Sequence, residues 1–395
     1  MNTDATGSKI VHAEAHAVVR TSVKRREQSP YIERWRSDDV IFATYANRLY
    51  PVSLGSDALA DYWKLRRGVV LYDVPEKPLS IEGPAAVVLL ERVFSRRVGD
   101  LKPWRARYAI ACAPDGGILM DGVLIRLADD HFWYIQADGD FENWLLAHSV
   151  GMEVEISDPG SWVLQIQGPR SFEVLAAASG APIPDDFSYF RAGMFDFGGQ
   201  QVLISRTGFT GELGFEIYSH RGVDHLALWD HVMVCGEPFG LVMGAGDSMG
   251  PRRIEAGILD NKTDIDRSMT PFAAGLGALV DFANPDFIGR TALKSGDRSC
   301  LLFGLVSATG IPTRDNQVLV DGQVVGRMTV GDWSPTLEAG IGYVRFHTPS
   351  DHPEGWLGAA VVFRDNTGSE HAAEVVNLPF FDADKRIPRG LEAIR

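Results

Sequence analysis

The chain has 395 residues, 45% of them hydrophobic, enough to build two or three cored domains. Its formal net charge of −14 lacks the basic footprint that nucleic-acid binding needs, and no apolar run approaches the roughly 20 residues that span a bilayer. Cys112, Cys235 and Cys300 are scattered without a CxxC pair and the ten histidines form no HExxH, which speaks for a reducing, cytoplasmic setting and against a metal site.

Residues 1–29 lack the apolar core of a signal peptide and read as a polar arm. Segment 41–52, "IFATYANRLYPV", is apolar and β-prone up to Pro51, and "DALADYWKLRRG" predicts a helix closed by Gly68. From Leu79 the pattern is compact. Strand "LSIEG" leads to helix "PAAVVLLERVF", then to strands near 107–113, 118–127 and 131–137, helix "FENWLLAHSV" and a strand near 152–157. That run predicts a small α+β unit. A new strand starts at "SWVLQIQGPRS" and its Gly-Pro step opens a helix over 170–179. Short strands follow over 188–218. In helix 222–235, Val223, Leu226, Trp229, Val232 and Met233 recur at three- and four-residue spacing and predict a core face. After about Arg298 the texture is all-β, with strands at 301–307, 316–320, 323–330, 341–346 and 359–364, and Asp321-Gly322 as a type I′ hairpin signal.

Four motifs compete for the chemistry. Gly246-Asp-Ser-Met-Gly250 fits the G-x-S-x-G elbow of a serine hydrolase, with Asp281 and His347 downstream in the order such enzymes use. The elbow needs a doubly wound parallel sheet, whereas the upstream signals are antiparallel. Gly244, Gly246 and Gly250 nearly fit a dinucleotide loop but are spaced one residue too far. Asp121 stands alone in the apolar strand "GGILMDGVLIRL", either facing outward beside a bulge at Gly122 or held in a low-dielectric wall to meet developing positive charge. In "SRTGFTGELGFEIY", Gly208 and Gly211 permit a tight turn and Glu216 sits on an alternating strand. A strand carboxylate can accept two parallel N–H bonds, as an aminopyrimidinone edge would offer, or it can simply face solvent. Glu212 is the reserve for that role. The Arg252-Arg253 pair could meet an anionic ligand or form a solvated helix face.

The stretch "SRTGFTGELGFEIY" resembles the R-T-G-[YF]-T-G-E-x-G-[FV]-E-I signature of the glycine cleavage system T-protein, the aminomethyltransferase family. "RIEAGILDNKTDIDRSMTPFAAGLGALVDF" with "DFIGRTAL", and "GGILMDGVLIRL", are similar to further motifs of that family in the same order, from about Ile41 to the end. The resemblance implies an α+β three-domain cloverleaf that binds tetrahydrofolate at its centre. It implies a polar arm over 1–29, a folate-binding domain from 30–77 plus 159–296, an inserted ferredoxin-like α+β domain over 78–158, and an antiparallel β-barrel over 297–395. It places the catalytic aspartate on Asp121, the pterin-holding glutamate on Glu216, folate-pocket residues on Trp133 and Ile135, and a backbone contact to the pterin on Tyr108.

The chain also departs from the family pattern. "AGDSMGPRRIE" has Gly246 where the A-R-D-S arginine belongs, with Arg252 or Arg253 as substitutes. "DVPEKPLS" replaces a D-V-S-H-M-G turn. "YANRLYPV" and "GRMTVGDWSPTLEAGIGYVRF" look more like tetrahydrofolate-dependent demethylases, such as that for dimethylsulfoniopropionate. The K-G-C-Y-x-G-Q motif of the non-enzymatic folate-binding relatives is absent from the chain. The reading is therefore a demethylase that moves a methyl group from a small S-, N- or O-methylated compound to N5 of tetrahydrofolate. Trp133, Tyr45 and Tyr50 are candidates to cradle a cationic donor. An aminomethyltransferase and a non-catalytic folate binder are the alternatives. A lipoyl carrier partner is not expected, and the oligomeric state is left open.

Overall fold

A computed structural model of the protein describes residues 22–350 and 355–392. Three sheets and a hairpin organise them. One open sheet has six strands in the order Ala192–Phe197, Gln200–Ser205, Gly214–Tyr218, Val163–Gln167, Val70–Val74 and Val242–Met243; only the last pair is parallel. It takes strands from both sides of residues 77–157, which makes that unit discontinuous. The strand Gly214–Tyr218 shows how the alternation is used. Phe215 and Ile217 enter a core with the helices Ser171–Ser179 and His225–Gly236, while Glu216 and Tyr218 occupy the other face.

The intervening residues form a five-stranded antiparallel sheet, ordered Arg105–Cys112, Ile118–Arg126, His131–Gln136, Lys77–Glu82 and Glu155–Ser157. Helices Ala86–Val93 and Phe141–His148 cover one face of it through Leu89, Leu90, Val93, Phe141 and Leu145. This unit carries one strand more than the four of a ferredoxin-like domain. Its helix-free face turns toward the helix-free face of the six-stranded sheet, and Val70, Tyr72, Ile125, Trp133, Ile135, Leu203 and Tyr218 fill the space between them. Each sheet thus hides one face with its own helices and shares the other.

The C-terminal part is a closed six-stranded antiparallel barrel, ordered Leu302–Ser307, Ala339–Phe346, Gln323–Ser334, Gln317–Val320, Ala360–Arg364 and Glu370–Val376. Asp321 and Gly322 adopt φ of 50° and 77° and join Val320 to Gln323, as a two-residue hairpin with that sequence should. The helix Gly246–Glu255 ties the barrel to the large sheet. Glu255 accepts from Ser334 at 2.5 Å and from Tyr62 at 2.8 Å, and Arg253 pairs with Asp264, which also accepts from Thr329.

Near the N-terminus the β-prone segment 41–52 does not run straight. It folds back at Ala46 and Asn47, both at positive φ, into the hairpin Ile41–Tyr45 and Arg48–Ser53. The part of the polar arm at 1–21 lies outside the described residues, but 22–29 are anchored. Glu27 pairs with Arg48 and Lys77, and Ser29 donates to buried Asp73.

Candidate active site

Two adjoining cavities, of about 290 and 240 Å³, lie beside the six-stranded sheet, the larger one also reaching the five-stranded sheet and the C-terminal segment. Tyr45, Glu76, Phe209 and Asp260 line both and so mark where they adjoin. The larger cavity is walled by Asp121, Tyr108, Val123 and Ile135 of the five-stranded sheet, Thr207 and Glu216 of the six-stranded sheet and its loop, Asn261 beyond the helix Gly246–Glu255, and Lys385 from the C-terminal segment.

Asp121 does not face outward, and Gly122 is no bulge. Gly122 is regularly paired, and a Cβ there would lie 2.1 Å from the carbonyl oxygen of Ile135, so only glycine permits the two strands to approach. The Asp121 side chain is 5% exposed and held from both sides. Tyr108 Oη donates to Oδ2, and Asn261 Nδ2 donates to Oδ1 at 2.7 Å. Burial lifts the carboxyl above the usual range, and these two bonds work against that rise.

Glu216 sits in a row of cross-strand neighbours, flanked by Ser205 on one side and Gln165 on the other. Its Oε2 accepts from Thr207 at 2.5 Å and from Tyr218 at 2.5 Å, and its Oε1 accepts from Gln165 Nε2 at 2.9 Å. Burial raises this carboxyl as well. Gly208 and Gly214 make the row possible, since a Cβ at either would fall within 2.5 Å of the Gln167 side chain that braces the loop. The glycines and the glutamate of this stretch therefore serve one object: the loop packs flush so that a strand-borne carboxylate can stand in a closed wall.

Glu76 went unnoticed in the sequence, although the turn carrying it stood out as unusual. Its Oε1 lies 3.5 Å from Gln165 Nε2, while its Oε2 is shielded from solvent and has no hydrogen-bond partner; Gln165 Oε1 is likewise unmet. Burial, and then the neighbouring Glu216, push Glu76 well above the usual carboxylate range. Arg48 Nη1 donates to the Glu76 carbonyl at 2.5 Å and fixes the turn. Asn261 was also missed. Its N-K-T context reads as a chance glycosylation sequon, but the side chain is buried on Asp121.

Other candidates lie elsewhere. Ile135 lines the larger cavity, but Trp133 packs in the core between the sheets, its ring edge-on to Tyr218 with centroids 6.3 Å apart. The backbone oxygen of Tyr108 accepts from Arg96 at 3.1 Å, and the contact of this residue with the site runs through its hydroxyl. Glu212 and Arg252 do not reach either cavity. Glu212 Oε1 accepts from Arg252 Nε at 2.7 Å and from Arg66 Nη1, and all three side chains are almost wholly buried. They form an internal charge cluster that holds the helix Ala58–Arg67 to the loop. Arg253 lines the smaller cavity, with its charge committed to Asp264 at 2.6 Å. Tyr45 and Tyr50 line that cavity too. Ser248 is buried, donates to the Ala245 carbonyl at 3.0 Å and lies 3.1 Å from the Tyr72 hydroxyl. Among the described residues no histidine is hydrogen-bonded to it, and the sheet beside its helix is antiparallel except for one pair, which gives the hydrolase reading no support.

Residues 40–284 match the GCVT N-terminal domain and residues 301–382 the glycine cleavage T-protein C-terminal barrel domain. The chain belongs to the glycine cleavage T-protein family. It is 31% identical over 349 residues to an aminomethyltransferase of Streptomyces coelicolor, covering 85% of this chain and 92% of that protein. It is 30% identical over 308 residues to the dimethylsulfoniopropionate demethylase DmdA of Ruegeria pomeroyi, covering 76% and 83%. The crystal structure of the glycine cleavage system aminomethyltransferase T from Bartonella henselae superposes with a TM-score of 0.80 at 25% identity, covering 90% of this chain and 98% of that one. The T-protein fold and a folate-dependent one-carbon transferase of this family follow from these matches, and family members use tetrahydrofolate.

The larger cavity fits that cofactor. Its lining combines ring and apolar surface from Tyr45, Phe209, Ile135 and Leu279, suited to a ring system, with the buried carboxyls of Asp121 and Glu216, suited to ring N–H groups. No described helix is long and apolar enough to cross a membrane.

Proposed function

We propose that this protein moves a methyl group from a small, positively charged S- or N-methyl compound to N5 of tetrahydrofolate. One observation carries the reading. Three of the four segments in which the chain departs from the T-protein motifs converge on the smaller cavity, while the fourth lies on barrel strands away from it. Tyr45, Tyr50 and Pro51 come from the N-terminal hairpin, Asp73 to Glu76 from the "DVPEK" turn, and Ala245, Gly246, Met249 and Gly250 from the stretch that lacks the family arginine. The folate side keeps the family residues and the adjoining side does not, which is the pattern of a kept acceptor and a changed donor.

Bound tetrahydrofolate supplies a nucleophilic nitrogen that accepts the one-carbon unit. Asp121, fixed by Tyr108 and Asn261, presents a negative oxygen where positive charge builds, with no reorganisation needed as it builds. Glu216 accepts ring N–H groups through Oε1, the oxygen that bears only the Gln165 bond. The wall shared by the cavities holds donor and acceptor side by side, which converts a bimolecular displacement into a local one. The breaking C–S or C–N bond leaves its electron pair on the heteroatom, so an onium donor departs neutral and the positive charge passes toward the Asp121 side.

A second reading is aminomethyl transfer, and the names of most relatives favour it. Incubation with tetrahydrofolate and a panel of S-, N- and O-methyl compounds, beside an aminomethyl-lipoyl carrier, separates the two. Formation of 5-methyltetrahydrofolate from a free compound supports the proposal. Methylenetetrahydrofolate and ammonia formed only from the carrier would overturn it in favour of the second reading.

A further inference from the structure

We infer that the smaller cavity is a binding site for an organic cation of onium or alkylammonium type, with Glu76 as its counter-charge. This rests on the methyl-transfer reading for its role in catalysis, but not for its chemistry, which follows from the wall.

The wall offers acceptors and rings and no available positive charge. Three carboxyl groups line it, Asp73, Glu76 and Asp260, and the one cationic side chain among the described lining residues, Arg253, is spent on Asp264. Asp73 is itself engaged, accepting from Ser29 and from Trp35 Nε1 at 2.9 Å. Glu76 Oε2 and Gln165 Oε1 remain shielded from solvent without partners. The assignment of the Gln165 amide is fixed by its setting, because its Nε2 faces the carboxylates of both Glu76 and Glu216. Neither oxygen has a protein donor, so this part of the wall is suited to something that brings positive charge or N–H donors.

The remaining surface decides between those. Tyr45, Tyr50, Tyr72 and Phe209 provide ring surface and Met249 and Val74 apolar surface, which suits the methyl shell of a desolvated onium group better than a multiply hydrogen-bonding amine. Position gives the further consequence. Glu76 lies on the wall common to both cavities, so a cation drawn to it places its charged centre, the one carrying the transferable methyl, at the boundary with the folate side.

The test is calorimetric titration of the folate-free protein with trimethylsulfonium and tetramethylammonium ions, and with tert-butanol as a neutral molecule of similar shape. The wild type should bind the cations on the order of tenfold or more tighter than the alcohol. Glu76→Gln keeps the shape and should lose about tenfold or more of cation affinity. Because Glu76 also lines the larger cavity, the comparison is between losses: cation affinity should fall by more than tetrahydrofolate affinity. Equal binding of cations and alcohol by the wild type would overturn the inference. So would a Glu76→Gln variant that binds cations normally, or one that loses folate affinity instead, since the carboxylate would then belong to the acceptor side. Cation binding without any methyl transfer to folate would leave this site standing and remove the methyl-transfer reading.

Discussion

Replacing Asp121 by asparagine separates a charge from a shape. Both present partners donate to the carboxylate, Tyr108 to Oδ2 and Asn261 to Oδ1. An asparagine at 121 can keep its carbonyl oxygen on Asn261 and turn its amide toward Tyr108, whose hydroxyl can rotate to accept. The structural loss is therefore about one net hydrogen bond, on the order of 1 kcal/mol. It is offset by no longer burying a charge that the site already disfavours. The fold should survive. The rate should not, because a preorganised charge facing a developing charge is typically worth on the order of a hundredfold. With an onium donor the total charge is unchanged and only relocates, so a loss nearer to about tenfold is expected there. The assay is single-turnover formation of 5-methyltetrahydrofolate by the folded variant, with folate affinity measured alongside. The sign of the pH dependence follows from the raised carboxyl. The ionised form is the active one, so the wild-type rate should fall as pH drops through its pKa, at a higher pH than for an ordinary carboxylate, and Asp121→Asn should lack that limb. Wild-type single-turnover rates in Asp121→Asn would show that the residue is only structural.

Glu216→Ala strips the acceptor from Thr207, Tyr218 and Gln165 and should cost about 2–4 kcal/mol of tetrahydrofolate affinity; unchanged affinity by calorimetry on folded protein would remove Glu216 from the binding wall. Glu212→Ala leaves Arg66 and Arg252 buried without their shared carboxylate and should lower stability by about 3–5 kcal/mol in urea titrations, with folate affinity of the folded fraction unaffected. Asp73 is lifted by burial to about 7. The folded state then holds a proton that the unfolded state releases near pH 4, so urea midpoints should fall as pH rises from about 4 to 7, and Asp73→Asn should flatten that slope. Ser248→Ala removes a hydroxyl that only neighbours Tyr72 and the Ala245 carbonyl, and methyl transfer should continue at a rate close to wild type.

Elements with strong local signals were legible. The Asp-Gly turn, the spacing of Trp229 and Val232, and the alternation in "GFEIY" fix their own geometry, because period and turn chemistry are short-range properties, although Leu228 and not the expected Leu226 enters the core. The strand Glu370–Val376 was not anticipated. It carries two glutamates, a histidine and two alanines, a weak strand former whose role is to close the barrel against Leu302–Ser307 and Ala360–Arg364, and closure is a property of the whole chain. The same divide runs through the site. Asp121 was legible because a charge in an apolar strand contradicts its surroundings. Glu76 stood among Pro, Lys and Asp, where a glutamate is ordinary, and only the fold reveals that its turn is inward. Glu212 and Arg252 misled for the opposite reason: charged groups near a signature motif look functional, but 40 residues apart in sequence they neutralise each other in the interior.

The carboxyls of the two cavities differ in how the protein holds them. Asp121 and Glu216 each have a protein donor on both oxygens, which fixes their positions, and Glu216 Oε1, with one bond, can accept a second. Glu76, one residue row away across Gln165, has an oxygen with nothing on it. The turn carrying it is clamped by Arg48 through the Glu76 carbonyl, and Lys77 ties it to Glu27 and Asp158. Those contacts hold the backbone, not the carboxylate. The side chain at 76 is consequently the part of the shared wall that can change identity without disturbing the strands on either side, and the acceptor machinery need not change with it.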